Sequence, residues 1–174
     1  MSTTRKLEAG GAVPAIAVPK VGGGEIAIGN TGAWQMVVVY RGKHCPICRS
    51  YLKGLDGLYD QFRAGGTEVV AVSGDPKEKA ESEAAEEGWR FPVGYGLTTD
   101  QMRQLGLYIS EPRSPQETDR PFREPGLFVI NPEGRAKGAF DTSIMCAWPS
   151  GVITNSPGSG NGRSVSCGER GSEI

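Results

Sequence analysis

Residues 40–51 read Tyr40-Arg41-Gly42-Lys43-His44-Cys45-Pro46-Ile47-Cys48-Arg49-Ser50-Tyr51, and their reading decides the fold. Upstream, Trp34-Gln35-Met36-Val37-Val38-Val39-Tyr40 is an almost unbroken apolar run, the pattern of a strand buried on both faces of a sheet. Downstream, Ile47, Tyr51, Leu55, Leu58 and Phe62 recur at the three- and four-residue spacing of an amphipathic helix. Two cysteines therefore fall where a buried strand gives way to a helix. Pro46 suits the first helical position, where its missing N–H would have lacked a partner anyway. Cys45 then sits at the helix mouth, facing unpaired backbone N–H groups and the positive end of the helix dipole.

That placement bears on sulfur chemistry. The thiolate, not the thiol, attacks peroxides and disulfides. A free cysteine titrates near ~8.5, and a helix N-terminus with nearby cations brings it to roughly 3.5–7.5. Every formal charge between Ile26 and Leu55 is positive: Arg41, Lys43, Arg49 and Lys53. Cys45 is accordingly read as the reactive sulfur. Cys48, one turn into the helix, is read as the sulfur that resolves the mixed intermediate into an intramolecular disulfide. His44, the only histidine, reads either as a cation or proton carrier for the site or as an exposed strand-end residue.

Composition narrows the classes. A chain of 174 residues suits one domain with a substantial core. A net charge of -1 does not indicate a nucleic-acid surface. No apolar run approaches the ~20 residues of a membrane span. Met1 to Gly10 carries Arg5, Lys6 and Glu8 and lacks the apolar core of a signal peptide, so a cytoplasmic location is expected. There a Cys-x-x-Cys pair reads as redox or metal-binding rather than as a structural staple.

Taken in order, residues 7–24 read as a Pro- and Gly-rich surface lead-in, followed by a short strand at Glu25–Ile28. The helix after Cys45 is expected to run to Gly65-Gly66, with Gly54 and Gly57 each costing about 1 kcal/mol against alanine. Thr67 to Ser73 is a second strand, giving a βαβ unit. Asp75-Pro76-Lys77-Glu78 predicts a helix start, with Asp75 as N-cap and Glu78 closing a capping box. The charged run beyond it, with pairs Lys77–Glu81 and Lys79–Glu83, reads as a solvated face. An extended piece over Trp89–Tyr95 and a short helix over Thr98–Leu105 follow. Ser110 to Pro125 is a proline-rich loop, long enough to wall the site over Cys45. Gly126–Ile130 is a strand, Asn131-Pro132-Glu133-Gly134 a turn, and Arg135–Asp141 an antiparallel return. The order predicts an α/β fold with a central mixed sheet and helices on both faces. Residues 1–141 form the expected domain, and 142–174 a Gly/Ser-rich disordered tail. A natural tail, or an ending replaced through a shifted reading frame, accounts for that composition.

Strand, Cys-Pro-Ile-Cys and amphipathic helix resemble a thioredoxin fold. The wider phrase Tyr40-Arg41-Gly42…Cys45-Pro46…Cys48 is similar to the peroxiredoxin-like branch of the alkyl hydroperoxide reductase and thiol-specific antioxidant family, over about residues 7–140. The resemblance implies an antioxidant thiol oxidoreductase acting on a peroxide or disulfide, reset by an external thiol donor, with no cofactor, nucleic acid or membrane. It also implies a closing terminal helix, which the sequence after residue 141 lacks. Three departures stand out. Family members usually carry a proline seven residues before the reactive cysteine and a hydroxyl residue three before it; Val38 and Gly42 stand there. Where an arginine usually precedes the late strand, this chain has Pro125, leaving Arg113, Arg120 or Arg123 as substitutes from the loop. Pro125 in turn resembles the cis-proline that thioredoxins pack against their cysteines, so a disulfide reductase without peroxidase activity is the alternative. A zinc site built from Cys45 and Cys48 would have to recruit His44, Cys146 or Cys167. A binding module without turnover is a further reading.

Overall fold

The computed structural model describes residues 7–110 and 122–140. The expected lead-in contributes to the core. β1 (Ile16–Pro19) and β2 (Glu25–Ile28) pair antiparallel, Ile16 opposite Ile28 and Val18 opposite Ile26. Alternation explains it: these four aliphatics point one way and are buried, while Ala17, Pro19, Glu25 and Ala27 face out. The glycines at 22–24 make the turn between them.

The central sheet is built on β3 (Trp34–Val39). A helix, α1 (Pro46–Gly57), follows, then a second, α2 (Tyr59–Ala64). The single helix expected as far as Gly65 is thus two. The last turn tightens at Leu58, whose N–H reaches Leu55 O at 3.0 Å. α1 holds the buried residues Cys48, Tyr51, Leu52 and Leu55, whereas α2 has none fully buried, and Gly57, of low helix propensity, stands at the break between them. Leu52 and Leu55 are fully buried, each worth ~1.5–3 kcal/mol of transfer free energy.

β4 (Thr67–Val72) runs parallel to β3, with Val39 opposite Val72. Beyond it lie α3 (Lys77–Glu87), the short parallel strand β5 (Val93–Gly94) and α4 (Thr99–Gln104). Thr98 and Gln101 form a capping box that starts α4. A small ladder, β6 (Ile109–Ser110) with β7 (Phe122–Arg123), brackets residues outside the description. β8 (Gly126–Ile130) and β9 (Ala136–Phe140) close the sheet antiparallel, as the turn at Asn131–Gly134 predicts. The sheet order is β5-β4-β3-β8-β9.

The apolar run of β3 divides by parity. Val37 and Val39 join β1, β2, Met102 of α4 and its C-cap Leu105 in one cluster. Met36, Val38 and Tyr40 join the α1 residues and both cysteines in another. The mixed sheet with helices on both faces is therefore present. Gln35, buried in β3, is satisfied by donating to Ala27 O at 2.8 Å and accepting from Gly29 N–H at 3.3 Å. The tail after residue 141 and the closing helix lie outside the described residues.

Candidate active site

The end of β3 delivers the chain directly to the cysteines. Tyr40 N–H still bonds Val72 O, at 3.0 Å. The backbone then turns through Gly42, whose φ of 115° is in the left-handed region, and Cys45 N–H bonds back to Gly42 O at 3.1 Å. Cys45 is the N-cap of α1 and Pro46 opens the helix, as the spacing predicts. Cys45 Sγ accepts the Cys48 N–H at 3.3 Å, so the sulfur occupies the place of a capping oxygen. Cys45 and Cys48 are joined as a disulfide with their Cα atoms 5.3 Å apart. Cys45 is 8% exposed and Cys48 1%, whereas Ile47 between them is 70% exposed.

Three of the four cations that flank Cys45 in the sequence, Arg41, Lys43 and Arg49, are each matched by a carboxylate from elsewhere in the chain. Arg41 donates to Glu124 Oε2 from Nη2 at 2.5 Å and from Nε at 3.2 Å. Lys43 Nζ reaches Ser82 Oγ at 2.8 Å and the Glu86 carboxylate. Arg49 lies 3.8 Å from Glu87. The local sequence does not show this balance because the acids come from α3 and from the link between β7 and β8. The charged run of α3, read as a solvated face, is in part the wall that holds the cysteine loop. Glu86 is lowered by the hydrogen bonds it accepts from Lys43 and Ser82.

Asp75 does not cap α3. Pro76 is the N-cap, and Asp75, buried, accepts the Lys43 backbone N–H at Oδ2, 2.7 Å away. A side chain on residue 42 would collide with that carboxylate. The missing hydroxyl three residues before Cys45 has a physical cause here: Asp75 fills the space.

Glu83, expected to pair with Lys79 on the surface, is instead wholly buried on the inner face of α3, and its Oε2 accepts the Tyr40 hydroxyl at 3.1 Å. Burial is the main reason its carboxyl is raised to about 7, with Asp75 and Glu87 adding and Tyr40 and Arg49 opposing. Tyr40, equally buried, is raised well above its ordinary value by burial and by Glu83. The only sequence signal for this pair is Ala80-x-x-Glu83, which puts Glu83 on the same helix face as a small residue that packs inward.

His44 lies edge-on to Phe122, ring centroids 5.0 Å apart, and Arg41 covers the same Phe122 ring at 5.1 Å. The far side of the long loop thus reaches the site through Phe122 and Glu124. Arg113 and Arg120 lie outside the described residues, as does the side chain of Arg123. Pro125 stands level with Tyr40, one step beyond the Gly126–Val39 pair. No peptide bond among the described residues is cis, so Pro125, just before β8, is trans, and its likeness in placement to the thioredoxin proline does not extend to the isomer. Among the described residues no three potential metal ligands gather, and Cys146 and Cys167 fall outside them. No helix among those residues is long and apolar enough to cross a membrane.

A family model described as the AhpC/TSA family matches residues 9–138. The chain belongs to the AhpC/TSA family. Members are peroxiredoxin-type thiol peroxidases, so the chain is a thiol-based oxidoreductase. No curated protein sequence matches it. Among solved structures, a peroxiredoxin-like protein from Aquifex aeolicus superposes with a TM-score of 0.67 at 17% identity, over 79% of this chain and 77% of that one. Peroxidoxin BcpB from Mycobacterium tuberculosis gives 0.67 at 15% identity, over 81% and 92%. A cysteine-to-serine variant of Xylella fastidiosa PrxQ gives 0.64 at 20%, over 79% and 87%. At these identities the likeness establishes the fold, the thioredoxin-like α/β architecture of peroxiredoxins.

Proposed function

We propose that this AhpC/TSA protein reduces peroxides with Cys45 as the attacking sulfur and Cys48 as the resolving one. The Cys45 thiolate attacks one oxygen of the O–O bond; that bond breaks, and the departing alkoxide takes a proton to leave as alcohol or water. The resulting Cys45 sulfenic acid is attacked by Cys48. An S–S bond forms, and the hydroxyl leaves as water with the Cys48 proton. An external dithiol then reduces the disulfide and restores both thiols. The observation that supports this order is the N-cap placement of Cys45: its sulfur accepts a helix N–H and lies within bonding reach of Cys48.

Arg41, Lys43 and Arg49 act as balanced rather than free cations around the sulfur. His44, beside Cys45, serves as proton carrier for the leaving oxygen. Pro46 fixes the helix start, and Pro125 backs the loop from the neighbouring strand. The thiol donor belongs to a reducing compartment, which fits a cytoplasmic protein.

A second reading rests on the same disulfide. A Cys-x-x-Cys pair that closes within one helical turn can also exchange with a protein disulfide. Peroxide consumption with a dithiol donor, set beside reductive cleavage of a protein disulfide, separates the two. Peroxide turnover that disappears in Cys45→Ser supports the proposal. Turnover retained in that variant overturns it, and activity on disulfides alone establishes the second reading.

A further inference from the structure

One group in this site has no part in the scheme above. Glu83 is wholly buried, its Oε2 holds the Tyr40 hydroxyl, and its Oε1 makes no hydrogen bond among the described residues. A buried carboxylate oxygen with no donor is expensive, whereas a carboxylic acid carries its own proton there. The groups facing Glu83 come from four places. Tyr40 lies at the end of β3, Asp75 follows β4, Arg49 sits on α1 next to Cys48, and Glu87 is one turn along α3. Arg49 is the one cation among them, and Glu87 already draws on it at 3.8 Å. Tyr40 belongs to the same packed cluster as Cys45 and Cys48.

We propose that Glu83 is a positioning residue for the thiol chemistry: a buried carboxyl whose proton keeps the field at the Cys45–Cys48 pair favourable through Tyr40 and Arg49, and which the reduced site holds more tightly than the oxidised one. The inference rests on the proposed role of Cys45. Ionised, Glu83 would be a third negative charge beside Asp75 and Glu87, with Arg49 the one cation named against it, and the surplus negative charge would oppose a thiolate. Neutral, it leaves Arg49 to act on the sulfurs. Linkage makes the effect reciprocal, so a Cys45 thiolate makes Glu83 harder to ionise, and disulfide formation relaxes that constraint. The proton itself stays on Glu83 in the reduced state and becomes easier to lose on oxidation.

The test uses the full chain in deuterated buffer, oxidised and dithiol-reduced. It follows the infrared C=O band of protonated carboxyl across pH, together with mass-resolved alkylation of Cys45. Ordinary carboxyls are ionised above about pH 6, so a band persisting there isolates a buried acid. The expected result is such a band, absent in Glu83→Gln, with an ionisation constant about threefold smaller in reduced than in oxidised wild type. Glu83→Gln, neutral at every pH, should move the Cys45 alkylation midpoint down by up to that factor, in proportion to the share of Glu83 that is ionised where Cys45 titrates. No band above that pH, a band that survives in Glu83→Gln, or equal midpoints in the two redox states overturns the inference. The first and last are read from wild type alone, so a variant that fails to fold does not protect it. A Cys45 midpoint of an ordinary thiol overturns the proposed function instead. A low Cys45 midpoint beside a carboxyl blind to redox state overturns this inference only.

Discussion

The Asp75 carboxylate accepts the backbone N–H of Lys43 at 2.7 Å and sits where a side chain on residue 42 would have to go. A methyl group on Gly42 would lie 2.6 Å from Asp75 Cγ, on a backbone whose φ is 115°. Strain and collision act together. Gly42→Ala should lose about 2–4 kcal/mol in urea denaturation. Gly42→Thr, which restores the hydroxyl usual in the family, should lose at least as much and gain no peroxide turnover. Faster turnover at unchanged stability would contradict this account of the loop.

Arg41 and Glu124 form the best-aligned ion pair at the site, with side chains 29% and 20% exposed. Glu124→Gln should cost about 1 kcal/mol of stability. It also removes one of the carboxylates that balance the cations, so the alkylation midpoint of Cys45 should fall. A midpoint that rises would show that Arg41 does not act on the sulfur.

Glu83 gives stability a definite pH dependence. Its carboxyl is raised to about 7 in the folded protein, against ~4.3 for a free glutamate. Between those values the folded state binds the extra proton, so stability falls as pH rises. The contribution is complete below the unfolded value and gone above the folded one. Chemical denaturation of wild type against Glu83→Gln should show a difference that changes by about 2–3 kcal/mol between pH ~4.5 and ~7.5 and is flat above. A difference independent of pH would mean the carboxyl titrates normally.

Gly54 lies exposed in the middle of α1, and a methyl group there meets nothing within 4 Å. Gly54→Ala should add about 0.5–1 kcal/mol, read as a higher thermal midpoint, without altering peroxide turnover. Destabilisation would mean that α1 needs the flexibility.

What the sequence discloses here is local. β3, the Cys45 cap and Pro46 at the helix start are contiguous, and adjacent residues determine them. Asp75 and Glu83 were misread because their partners, Lys43 and Tyr40, lie 32 and 43 residues away. Asp75-Pro76 carries a local capping signal, but the Lys43 N–H at the loop competes for the carboxylate and wins. In a helix as charged as α3, the small residue Ala80 is the only periodic clue that Glu83 faces inward. The positive run from Arg41 to Lys53 is real as sequence, yet it says nothing about Glu124, Glu86 and Glu87, which the fold brings opposite it. The lead-in hairpin was hidden by its Pro and Gly content, although Ile16, Val18, Ile26 and Ile28 already alternated.

The proposed mechanism needs the N-cap of α1 to hold Cys45 as the ionised sulfur. The most direct check is the alkylation rate of each cysteine in the dithiol-reduced protein against pH, resolved by peptide mass. A Cys45 midpoint at or below about 7.5 is expected, with Cys48 reacting more slowly at every pH. A Cys45 midpoint near ~8.5, or a Cys48 that reacts first, would contradict the mechanism.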